Sequence, residues 1–125
     1  MDLKGIKIAI LGGDDRELVM IPELVKMGAI INLVGYPPLP ELKGVNFCDT
    51  IEESLREVHA VILPMPGTDA SGVVRAVYAK KPLVLSEKNL RLIPSGTPVI
   101  IGVARPFLRD WAEKYNLRLV EIADL

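Results

Sequence analysis

The sequence predicts a three-layer α/β/α domain around a mostly parallel sheet of five or six strands. Three observations carry this expectation. Short apolar runs rich in Ile, Val and Leu recur along the chain, and segments with helical spacing separate them. That alternation implies parallel strands with helices on both faces of the sheet. The runs are apolar throughout rather than every second residue, as in strands covered on both faces. The third observation is size: 125 residues suit one domain with one core, and with two Phe, three Tyr and one Trp that core must be aliphatic.

Residues 6–11 (IKIAIL) form the first expected strand. From 15 to 27, Leu18, Ile21, Leu24 and Val25 fall on one helical face. Pro22 lies inside that segment and predicts a kink or a restart, whereas Gly28 is placed to end the helix. Residues 29–34 (AIINLV) are the second strand, followed by a proline-rich loop over 36–40. A brief strand over 45–48 leads to a short helix at 51–58, capped by Asp49 or Thr50. Residues 60–63 (AVIL) are a strand that stops at Pro64. A helix is expected over 71–79, with Val73, Val74 and Val77 apolar, then a short strand at 82–85. Ser86 caps a turn of helix over 87–92. Residues 97–101 form the next strand, 107–115 a helix facing inward through Leu108, Trp111 and Ala112, and 117–122 the last strand.

Right-handed crossovers place every strand-to-helix turn on one edge of such a sheet, the edge where ligands bind. Three glycine-containing turns fall there: Gly12-Gly13-Asp14 with Arg16, Pro66-Gly67-Thr68, and Gly102 with Arg105. Glycines permit close backbone approach, and a helix amino terminus offers N–H groups to an anion. Arginine pairs with carboxylates in two-point geometry, so Arg16 and Arg105 on one edge suit a small dicarboxylate. Each feature also has a structural reading. The glycines can simply make a tight turn, Thr68 or Asp69 can cap a helix, and either arginine, Arg16 above all, can pair with a neighbouring acid.

Other chemistries find little support. Gly12-Gly13-Asp14-Asp15-Arg16 lacks the third glycine of a dinucleotide fingerprint, no acid follows the second strand, and the Asp pair would repel a pyrophosphate. No cofactor or metal is therefore expected on this chain: no His, Cys and Asp share a metal-ligand spacing, and no nucleophile elbow is visible. His59, the single histidine, precedes a strand and reads as structural; Cys48 reads as a small buried hydrophobe. Catalytic residues stay unassigned. A net charge of −1 gives no footprint for nucleic acid, and no apolar run is long enough to span a membrane. One cysteine and an opening without a signal peptide point to the cytoplasm.

The Gly12-Gly13-Asp14-x-Arg16 opening, Leu33-Val34-Gly35-Tyr36, the run from Ile62 through Pro64-Met65-Pro66-Gly67-Thr68, and Gly102-Val103-Ala104-Arg105-Pro106-Phe107-Leu108 together resemble the amino-terminal domain of the dipicolinate synthase A subunit family. The likeness runs in order over nearly the whole chain, and the Pro-x-Pro-Gly-Thr segment is its most specific part. The resemblance implies a flavodoxin-like or Rossmann-like domain on the substrate side of an NAD(P)-dependent oxidoreductase. That enzyme makes dipicolinate from a lysine-pathway intermediate during sporulation, and its partner is a flavoprotein-like B subunit. The resemblance places the nucleotide on a second, carboxyl-terminal domain, which the 125 residues do not include, so the chain alone is expected to be inactive. Asp14, Arg16, Thr68 and Arg105 are the positions implied to face the cleft. A competing reading is a non-catalytic α/β module that forms a homodimer or joins another protein through an edge strand or the loop over 36–42.

Overall fold

The computed structural model describes residues 2–124. Six strands form one fully parallel sheet: β1 (Lys7–Leu11), β2 (Ile30–Val34), β3 (Val45–Cys48), β4 (Ala60–Ile62), β7 (Pro98–Ile101) and β8 (Arg118–Glu121), in the order β3-β2-β1-β4-β7-β8. Counting only these strands, the order is 3-2-1-4-5-6, that of a Rossmann sheet. Two short strands, β5 (Val73–Val74) and β6 (Leu83–Val84), pair antiparallel with each other outside that sheet. The helices are α1 (Asp15–Lys26), α2 (Ile51–Ser54), α3 (Glu87–Leu92) and α4 (Pro106–Lys114). None among the described residues is long and apolar enough to cross a membrane.

The strand pleat divides the core in two. Ile8, Ile10, Ile31 and Leu33 point to the α1 side, where Ile21 is fully buried. Ala9, Leu11, Val61, Val99 and Ile101 point to the opposite side and pack with Leu55 of the α2 segment, Leu90 of α3 and Leu108 of α4. Successive side chains of a strand take opposite faces, so one apolar run feeds both layers. The strand order reverses between β1 and β4, and the crossovers before and after that point lie on opposite faces.

Local signals explain the element ends. Asp14 caps α1, and Glu17 accepts from the Asp14 N–H in return, which closes a capping box. Gly28 and Ala29 donate to the Val25 and Leu24 carbonyls, the paired bonds of a glycine-terminated helix. Thr50 and Ser86 cap α2 and α3 as expected. The helix continues through Pro22 without a restart. That proline is exposed, so water can serve the carbonyl it leaves without a donor.

The expected helix over 71–79 is not formed. Gly72 and the adjacent β-branched Val73 and Val74 disfavour it, and Asp69 Oδ1 accepts from the N–H groups of Ser71 and Val73 at 2.8 and 3.0 Å, which closes a tight turn. The chain then runs extended, and Ala76 bridges in parallel to Gly13. The strand expected at 82–85 is β6, but it belongs to the small pair rather than to the main sheet. The expected 51–58 helix is confined to α2, with Glu57 at a φ of 53° in the turn that follows. In the loop over 36–42, Tyr36 is buried, and Leu39 and Leu42 pack against the α1-side core.

Candidate functional site

The turns after β1, β4 and β7 lie side by side on the carboxyl rim, because those three strands are neighbours. Glycines let them touch. A Cβ at Gly102 would stand 2.0 Å from the Met65 carbonyl oxygen, and one at Gly67 would stand 2.7 Å from the Val103 carbonyl oxygen. Gly67 also holds a φ of 68°, where a side chain is strained. The β4 and β7 turns therefore meet backbone to backbone.

Thr68 and Arg105 come together at that junction. Arg105 Nε donates to the Thr68 carbonyl at 3.1 Å, and Thr68 is 5% exposed with its hydroxyl donating to the Asp69 carbonyl. Arg105 is exposed and makes no ion pair among the described residues. Pro106 at the first position of α4 needs no hydrogen-bond acceptor there, and Arg105 supplies no side-chain cap. Glu121, at the end of β8, fixes the same turn. It accepts from the Ala104 N–H at 2.8 Å and from Arg109 at 2.9 and 3.1 Å. The Arg109 guanidinium, then the Ala104 N–H, hold the Glu121 carboxyl below its ordinary value.

The first turn is arranged differently from the expectation of an open anion site. A Cβ at Gly12 would meet the Arg75 carbonyl at 2.7 Å, and Gly13 would collide with the Glu17 carboxylate. The Gly13 N–H donates to the Arg75 carbonyl at 2.7 Å, and Val77 donates back to Gly13 at 3.0 Å. The close approach that the glycines permit is thus made by the chain itself. The head of α1 already receives two carboxylates, those of Asp14 and Glu17, the latter 7% exposed. The turn is thus filled by the chain's own carbonyl and carboxylate groups.

Arg16 is committed to Asp14, with Nε and Nη2 at 3.1 and 3.0 Å from its two carboxylate oxygens; this is the structural alternative named for it above. Arg75 Nε adds a longer contact at 3.5 Å. Hydrogen bonds from the Arg16 side chain, then from its backbone N–H, hold the Asp14 carboxyl far below the usual aspartate range. Tyr36 donates to the Asp14 carbonyl at 3.0 Å and stacks on Tyr78, whose hydroxyl donates to Asp15. Burial, first of all, raises the Tyr36 hydroxyl. Glu17, Arg75 and Glu121 were missed as site-forming residues. The Asp14-x-x-Glu17 spacing of a capping box would have revealed the first. The other two depend on long-range contacts.

His59 is far from this rim in the sheet. At the amino end of β4, its Nδ1 accepts from the Lys7 N–H at 2.9 Å, a structural bond between neighbouring strands.

A family model described as the N-terminal domain of the dipicolinate synthase A subunit matches residues 7–123. The chain belongs to this family. It is 31% identical over 121 residues to the dipicolinate synthase A subunit of Bacillus subtilis (strain 168), covering 96% of this chain and 41% of that protein. The crystal structure of the Bacillus subtilis protein superposes with a TM-score of 0.89 over 99% of this chain and 42% of the other. The crystal structure of its counterpart from Bacillus halodurans gives a TM-score of 0.92 at 30% identity, covering 100% and 43% of the two chains. The chain thus spans about two fifths of the length of these dipicolinate synthase relatives. An NAD complex of a D-isomer specific 2-hydroxyacid dehydrogenase from Lactobacillus delbrueckii ssp. bulgaricus shares the fold, with a TM-score of 0.68 at 16% identity over 98% of this chain and 38% of that one.

Proposed function

We propose that this chain holds a small cyclic dicarboxylate on its carboxyl rim, in the role of the substrate-side domain of a dipicolinate synthase A subunit. The observation that carries the reading is Arg105. It is anchored through Nε to the Thr68 carbonyl, it makes no ion pair among the described residues, and it stands where the β4 and β7 turns lock together. An anchored guanidinium suits two-point recognition of a carboxylate. Gly67 and Gly102 shape that junction, and Pro66 precedes the first of them. Gly12, Gly13, Asp14 and Arg16 support the neighbouring turn in this reading instead of binding the dicarboxylate directly.

The oxidation itself needs a pyridine nucleotide, whose two-electron chemistry the side chains named here do not supply. The Gly12-Gly13 turn does not accommodate its pyrophosphate, so NAD(P) is assigned to the part of the relatives that lies outside this chain, and the isolated chain is inactive. In that setting the enzyme is cytoplasmic and acts on a dihydrodipicolinate-type intermediate of the lysine pathway during sporulation, and its partner is a B subunit. A second reading, a module for self-pairing or contact with another protein, is favoured by exposed apolar side chains on the same rim: Met65 at 42%, Val77 at 57% and Val103 at 53%.

Thermal denaturation with pyridine-2,6-dicarboxylate tests the proposal, since a ligand that binds only the folded form raises the midpoint. The wild-type chain is expected to gain stability at millimolar ligand. Arg105→Lys, which keeps the charge but loses the planar fork, should weaken the apparent affinity by roughly tenfold. An unaltered midpoint, or an Arg105→Lys response equal to wild type, contradicts the proposal. Sedimentation of a dimer with no ligand response would favour the second reading.

A further inference from the structure

A second cleft opens on the same rim, with β1 and β4 lying between it and the β7 turn that carries Arg105. Its volume is about 490 Å³, within the range of small-molecule sites. Its floor comes from the ends of β2 and β3, at Val34, Gly35 and Cys48, with Ile51 beneath. One wall carries Asp49 and Glu52; the other is the segment from Tyr78 to Val84, with Lys80 and Lys81. The stacked pair of Tyr36 and Tyr78, with ring centroids 5.6 Å apart, borders it.

Two features of this cleft specify a ligand. Lys80 and Lys81 are exposed and, among the described residues, form no ion pair, not even with the two carboxylates that line the same cleft. The Glu52 carboxylate accepts from Asn89 Nδ2 at 3.1 Å, whereas Asp49, like the two lysines, makes no side-chain hydrogen bond or ion pair among the described residues. The position is the other feature. In a sheet of this strand order the nucleoside end of a dinucleotide lies beyond the second strand, with an acidic side chain on its ribose, while the pyrophosphate lies on the first turn. Here the first turn is closed by the Arg75 carbonyl and the Glu17 carboxylate, yet the nucleoside position is open. Its acids come from one strand further over, immediately after β3.

We propose that this cleft binds a nucleoside monophosphate. Lys80 and Lys81 meet the phosphate, Asp49 accepts from the ribose hydroxyls, and the base lies on the apolar floor. The lysines hold the phosphate in place of the first turn, which the Arg75 carbonyl and the Glu17 carboxylate close. The site is independent of the dicarboxylate reading, which rests on Arg105.

Calorimetric titration of the 125-residue chain with adenosine 5′-monophosphate tests this. Cys48, the single cysteine, lines the cleft and gives a second readout through its rate of alkylation by iodoacetamide. The monophosphate is expected to bind and to slow alkylation. The double variant K80A/K81A should weaken binding by roughly tenfold, as should D49N, while R105A leaves it unchanged. Several results would overturn the proposal: no heat and no protection at millimolar monophosphate, adenosine or inorganic phosphate binding as tightly as the monophosphate, or NAD+ binding more tightly than it. Dicarboxylate stabilisation is lost in R105A alone, so failure of either site is read separately.

Discussion

The junction between the β4 and β7 turns can be broken with one methyl group. In Gly102→Ala the new Cβ would stand 2.0 Å from the Met65 carbonyl oxygen and 2.6 Å from two further Met65 backbone atoms. Restoring an ordinary contact of about 3.5 Å requires a displacement of about 1.5 Å. Neither partner is the free end of a side chain, so the backbone of one turn must move. Overpacking of this kind costs about 3 kcal/mol, the upper end of the usual range. For a chain of 125 residues each kcal/mol lowers the melting midpoint by about 4 °C, which gives a drop of about 12 °C. Gly96→Ala is the control: its Cβ meets nothing within 4 Å, and only the φ of 85° opposes it, at about 1 kcal/mol. Calorimetry of both variants, with pyridine-2,6-dicarboxylate added in a second scan, checks the reasoning. Gly102→Ala should be much the less stable and should also bind ligand more weakly, because Arg105 is drawn away from Thr68. A Gly102→Ala midpoint equal to that of Gly96→Ala would refute the claim that the two turns meet backbone to backbone.

Two further outcomes follow from other parts of the fold. Asp14→Asn keeps a good helix cap but removes the carboxylate paired with Arg16. That carboxyl is held below its ordinary range in the folded state, so its contribution is present above about pH 4 and is lost as the pH falls through the lower folded value. Wild-type and variant midpoints should therefore differ at neutral pH and converge on acidification; a gap that does not change with pH would contradict the assignment. Asn32, buried in β2, donates to the Ser54 carbonyl at 3.1 Å and accepts from Asn46 at 3.1 Å. Asn32→Ala should lower stability by about 2 kcal/mol in urea titrations, with the slope unchanged, and a loss within error would show that the Ser54 carbonyl finds another donor.

The parallel sheet was legible because its strands are apolar on both sides, a pattern that local sequence states directly. Thr50 and Ser86 were legible as caps for the same reason: a hydroxyl three residues before a free N–H is a local signal. The segment over 71–79 misled because three valines at helical spacing were weighed above Gly72 and the turn-forming Asp69. What holds it extended is pairing with Gly13, some sixty residues away, which no local pattern announces. That one misreading concealed the closure of the first turn, since the Arg75 carbonyl that fills it lies in the same segment. The site suffered accordingly. Thr68 and Arg105 meet because their strands are neighbours, as the crossover rule expects, whereas Arg16 is taken up by an acid two residues away.

Amide chemical-shift mapping of the isotopically labelled chain with pyridine-2,6-dicarboxylate tests the central claim most directly. If the rim between β4 and β7 is the binding site, perturbations should gather at Gly67, Thr68 and Gly102 through Arg105, and vanish in Arg105→Ala. Shifts centred on His59 and Lys7 at the opposite end of the sheet, or none at saturating ligand, would contradict it.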